Sequence, residues 1–219
     1  MTTHSNTLFV NLMNLLYSLS FYSPIIVCVS ILVFSMFATC VEKTLIYFMW
    51  IFVITFLRII VFKGLSSPQT LSPPILPPIC LTGVSEMFIP KDVLYSLYVL
   101  SFTMMYFITP MILVSAQTNT NMVNYGVVGF FAAYIVLDIF VKQSVACIAN
   151  IVSKTVFVNL TSGLFFGALI GGLVMYGTPM RSYLFINEIN ANKEVCSRPS
   201  KQQFKCRVYK NGTLVGTSN

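Results

Sequence analysis

"FYSPIIVCVSILVFSMFATCVEKTLIYFMWIFVITFLRIIVF", Phe21–Phe62, decides the fold. No side chain from Phe21 to Val41 is charged, and from Thr44 to Phe62 the one charge is Arg58. A helix needs about 20 residues to cross the hydrocarbon core of a bilayer, so each half is long enough. Only Glu42 and Lys43 separate the halves, which predicts a tight antiparallel pair of transmembrane helices. Pro24 falls in the first turn of the first span, where a missing N–H costs little. The rest of the chain has the same character. Its 219 residues are 56% hydrophobic and 9% charged, against about 25% charged in a soluble domain. A soluble fold of this length could not hide so much apolar surface, and the reading is an all-α integral membrane protein.

Upstream, "TLFVNLMNLLYSLS" puts Leu8, Leu12, Leu15 and Leu16 on one helical face. That predicts an interfacial helix or an extension of the first span. The start "MTTHSNTLFV" has no basic region and no cleavage site follows, so the first long apolar segment is expected to be a retained signal anchor. Downstream, residues 63–92 form a linker. Pro68, Pro73, Pro74, Pro77, Pro78 and Pro90 rule out a continuous helix there.

Three further spans are predicted within residues 93–177: Val93–Ala116, kinked at Pro110; Tyr125–Val141; and Thr155–Gly177. A short interfacial helix is expected between the last two, around Val145, Ile148 and Ile151 or Val152. The count is about five spans, or four if the short Tyr125–Val141 segment does not cross. The chain thus divides into residues 1–62, the linker 63–92, the spans of 93–177 and a polar tail, 178–219.

Gly163, Gly167 and Gly171 make two consecutive GxxxG steps. Such a ridge of small residues lets another helix approach closely, in the same chain or in a second copy. Arg58 lies near the end of its span and is expected to snorkel to the interface. Asp138 stands four residues before Lys142, so the two can pair on one helix face as an end-of-helix anchor.

The net charge is +7, and most of the excess lies beyond the last span, from Arg181 onward. Lys201, Lys205, Arg207 and Lys210 are the candidate partner contacts, suited to an acidic protein face or anionic headgroups. "FKCRVY" alternates with a period of two, and Asn211-Gly212 fits a two-residue type I′ turn. A small β-hairpin is the expected tail structure. Cys196 and Cys206 are the cysteines close in sequence within a polar segment. They would pair in an oxidising compartment and stay reduced on a cytosolic face. The Asn211-Gly212-Thr213 sequon likewise needs a lumenal tail to be modified, and Asn159-Leu160-Thr161 lies within a span. Alternation groups Lys43 with the tail and sets Lys63, Lys91, Lys142 and Lys154 on the other face. Basic residues compete across the membrane, so the positive-inside rule leaves the orientation open.

Catalytic groups are sparse. The single histidine is His4, and no HExxH, phosphate loop or dinucleotide fingerprint occurs. No enzyme activity, metal or cofactor is expected.

"FINEINANKEVCSRPSKQQFKCRVYKNGTLVG", Phe185–Gly216, resembles the C-terminal segment of multi-spanning membrane and minor capsid proteins of large icosahedral DNA viruses of algae and protists, chlorella-virus-like. The pieces that carry the resemblance are "INE", "NKEVCS.PS" and "KQ.FKC.VYKNG". The resemblance implies a structural protein of the virion inner membrane, with its tail against capsid proteins. Its partners would be lipid, capsid or other virion membrane proteins and a second copy of itself, with no specific nucleic acid. A small ion channel or solute transporter using Arg58 and Asp138 is the alternative.

Overall fold

The computed structural model describes residues 2–65, 77–81, 92–119, 121–148, 150–177, 181–189, 206–210 and 213–218. Six long helices make up the body: α1 (Thr2–Phe21), α2 (Ser23–Phe37), α3 (Val41–Leu65), α4 (Tyr95–Thr118), α5 (Tyr125–Ser144) and α6 (Lys154–Tyr176). A single turn, α7 (Ile186–Ile189), follows them. Four helices, α3 to α6, are long and apolar enough to cross a membrane, or five if the bent pair α1–α2 is one span. The body is all-helical in its described part.

Of the two readings of the upstream segment, an extension of the first span is excluded, because the helix breaks at Tyr22. The segments Asn11–Phe21 and Ser23–Phe37 meet at 79°. Pro24 is the cause: it fits the opening turn of α2, but a helix running straight through would drive its ring against the carbonyl four residues back. α1 therefore turns away from α2 instead of extending it, as an interfacial helix would. α2 is about 22 Å long at 1.5 Å per residue, so it is the short segment, whereas Tyr125–Ser144 is a full-length helix. A four-span count would drop α2, not the segment named from sequence.

The α2–α3 turn is tight. The Thr39 N–H donates to Met36 O and the Cys40 N–H to Ser35 O, at 3.4 and 2.9 Å. This is a Schellman closure, and it puts the β-branched Thr39 at φ 54, where glycine is the usual residue. The same closure ends α5: Ala146 has φ 57, and Cys147 N–H donates to Lys142 O at 2.8 Å. Residues 145–148 and 150–153 run as turns and bends rather than as the expected short helix, with Cys147 and Ile148 buried. Side-chain caps open the next two helices. Asn124 Oδ1 accepts from the backbone of Gly126 and Val127, and Ser153 Oγ from that of Val156.

α4 is the central helix. Of its most apolar window, 72% is buried inside the body, against 22–28% for α3, α5 and α6. It stays helical through Pro110 and packs mainly on α6, then on α5 and α2. α1 packs across α5, with Tyr134 donating to Leu19 O at 2.8 Å.

The alternation of α3 to α6 gives the body two ends. One gathers Phe21, Arg58, Asp92, Lys142 and Asn159 with the Cys80–Cys147 disulfide. The other gathers Lys43, Asn124 and residues 181–189. α2 runs from the first end to the second.

Residues 181–189, expected to belong to the polar tail from residue 178, dock on the body instead. Leu184, Phe185 and Ile186 are buried, and the Phe185 ring meets Phe107 edge-on at 5.6 Å. Residues 181–189 therefore belong to the body. Beyond them the backbone forms two strands, β1 (Cys206–Lys210) and β2 (Thr213–Ser218), paired antiparallel. Asn211 and Gly212, where the type I′ turn is expected, and the strand side chains lie outside the described residues.

Candidate functional site

Three sets of residues hold the body together, and each joins segments far apart in sequence.

The first is the glycine ridge. Gly163, Gly167 and Gly171 all face α4 of the same chain. A methyl group added at Gly163 would stand 2.6 Å from Tyr98 O, and one at Gly167 would collide with Phe102 O. Real Cβ atoms do not come that close, so at both places glycine is what allows the backbones to touch. At Gly171 the methyl would stand 3.1 Å from Tyr106 O, the carbonyl that Pro110 leaves without its helical donor. Gly172, one position round the helix, faces open space.

The second set centres on Arg58. Instead of snorkelling, its guanidinium forks onto Asp92 at 2.6 and 2.9 Å, and the second nitrogen also donates to Asn159 Oδ1 at 2.6 Å. It lies over the Tyr98 ring, 4.5 Å from the centroid. The pair is largely buried, with 12% and 5% side-chain exposure. Arg58 thereby joins α3, the start of α4 and α6. Asn159, the sequon residue within α6, has both ends of its amide engaged, since Nδ2 donates to Thr155 O at 2.7 Å.

The third set centres on Asp138. The expected pair with Lys142 forms at 2.8 Å, but at 0% and 1% exposure it is inside the body rather than an anchor at the helix end. Ser20 donates to Asp138 at 2.7 Å and Ser96 at 3.0 Å, while Lys142 also contacts the Ser96 hydroxyl. A buried charge is tolerated when it is paired and its remaining hydrogen-bonding capacity is satisfied. Here Ser20 from α1 and Ser96 from α4 supply those bonds. Two more hydroxyl links run up α3 and α4, Thr55 to Tyr95 and Tyr47 to Thr103, both 2.8 Å.

At the tail end, Lys43 bonds Glu188 at 2.7 Å and Leu184 O at 3.0 Å. Asn124 donates to Ile189 O at 2.7 Å. Cys40, a buried free thiol beside this pair, is pushed above its ordinary pKa by burial and by the Glu188 carboxylate, with Lys43 opposing.

At the opposite end, Cys80 bonds Cys147 across 67 residues and packs against Phe21. Sequence reasoning missed this pair because it compared neighbouring cysteines. The signal was available, since span alternation puts the linker and the loop after α5 on one face. Cys196, Lys201 and Lys205 lie outside the described residues, as do the side chains of Cys206, Arg207 and Lys210.

A cleft of about 470 Å³ opens between α2 and α5. Its walls are mostly apolar, and three of its polar groups, Asn124, Tyr134 and Glu188, already serve as ties within the body. Among the described residues no group of three or more His, Cys, Asp or Glu is placed to hold a metal ion. Comparison with known protein families, curated proteins and solved structures found no match to this chain.

Proposed function

We propose that this chain is a structural protein of a virion inner membrane, in which a rigid helical body anchors a basic tail that contacts capsid proteins. The observation that carries the structural half is the use made of the intramembrane charges. Arg58, Asp138 and Lys142 are each spent on tying helices together, so they build a fixed anchor. The viral half rests on the resemblance of Phe185–Gly216, and no catalytic group is assigned. The recognition surface starts after Ile189, because residues 181–189 pack into the body. It holds Lys193, Arg198, Lys201, Lys205, Arg207 and Lys210, with the hairpin around Asn211-Gly212 suited to adding to a sheet edge. A chain ending at Ile189 is expected to insert into membranes and yet be lost from purified capsids. Normal incorporation of that truncated chain would refute the reading.

One observation favours an ion channel or transporter. Ionisable groups buried within a membrane are functional candidates by default, and Asp138 and Lys142 are fully buried. That reading expects ion flux in liposomes that Asp138→Asn alters; absence of flux from the reconstituted protein removes it.

A further inference from the structure

The two ends of the body differ in cysteine chemistry. The Cys80–Cys147 disulfide joins the segment before α4 to the turn after α5. Its cysteines are 1% and 7% exposed and share an apolar cluster with Phe21. A bond so enclosed is out of reach of exchanging thiols, which marks it as structural rather than catalytic. Structural disulfides form and persist in oxidising compartments and are rare where glutathione keeps thiols reduced. The opposite end holds Cys40, a free thiol beside Lys43 and Glu188.

We infer that the disulfide end faces an oxidising compartment, such as a secretory lumen, and that the tail end faces the reducing, cytosolic side. α6 starts at the disulfide end, near Asn159, and finishes at the tail end. There Arg181 is exposed and Glu188 meets Lys43. Ile189, the last described residue of the body, therefore stands on the reducing side. Basic-residue counting could not decide this because both faces carry lysines. The disulfide is an independent marker that does not rely on that count.

The assignment fixes what kind of partner the tail can meet. It is an acidic protein face folded in the reducing compartment, not a lumenal or secreted domain. Only the identification of that face as capsid rests on the function proposed above. On this side Cys196 and Cys206 remain thiols, and Asn211-Gly212-Thr213 is never offered to the glycosylation machinery.

The test uses the full chain with an epitope after Asn219, synthesised into sealed microsomes derived from endoplasmic reticulum. Protease added outside should remove the epitope without detergent. An epitope that survives until detergent is added overturns the orientation, as does a chain that alkaline carbonate extracts from the membrane. The variant Gly83→Asn, which makes a sequon with Val84 and Ser85, probes the other face. It should gain a glycan that endoglycosidase removes, whereas a glycan on Asn211 instead would contradict the assignment. An inverted orientation would still let residues 190–219 be required for capsid association, so the two readings fail separately.

Discussion

Arg58 shows what a single residue decides in this body. The sequence placed it near a span end, where a long stem reaching to the headgroups is the usual outcome. What the sequence did not show was Asp92, 34 residues away beyond a proline-rich linker, whose carboxylate meets the guanidinium in a two-pronged geometry. Removing one partner of a buried pair leaves the other charge uncompensated, at a cost of about 3–5 kcal/mol. Arg58→Gln should therefore lower the unfolding midpoint in detergent markedly. Arg58→Lys should recover only part of the loss, because an ammonium cannot fork onto Asp92 and reach Asn159 in the same way. A midpoint unchanged in Arg58→Gln would mean that the tie contributes nothing. Asp138 makes the same point about legibility. Its partner four residues on was readable from helical spacing, but Ser20, 118 residues away, was not, and it is the distant hydroxyls that make full burial of the pair tolerable.

Among the elements, the α4–α6 contact is the most extensive. Its glycine spacing was readable from the sequence, since GxxxG repeats mark a face for close approach wherever they occur. The partner was not readable, because a ridge of small residues fits a second copy as well as a neighbour in the same chain. In the structure it is α4, and the fit is close enough to predict side by side. Gly167→Ala should destabilise by about 1–3 kcal/mol, since overpacking against a backbone carbonyl cannot be relieved by turning a side chain. Gly172→Ala should stay within about 0.5 kcal/mol of the parent or gain slightly from helix propensity. Thermal unfolding of both variants checks the pair, and equal losses would show that the ridge has no special role. The break at Tyr22 was half legible. Pro24 was correctly placed in an opening helical turn, but the apolar run left open whether the helix before it lies in the interface or extends the span. Composition alone reports that a segment is greasy, and it says little about direction.

At the scale of the whole molecule, the chain has a helical body closed by its own pairings, and the proposed recognition role falls to the tail beyond it. Residues 181–189 lie in the body although they fall within the tail read from residue 178, because polarity along the sequence is a poor guide where a short apolar segment docks back. "YLFINEI", Tyr183–Ile189, is a short apolar run followed by Asn187 and Glu188 and flanked by polar residues, but Leu184, Phe185 and Ile186 are buried and Glu188 holds Lys43. The most direct test is the thermal unfolding midpoint of two truncated chains in detergent, one ending at Ile189 and one at Met180. The longer chain is expected to melt with the full-length protein and the shorter one several degrees lower. Equal midpoints for the two truncations, or a large loss already in the chain ending at Ile189, would contradict this expectation.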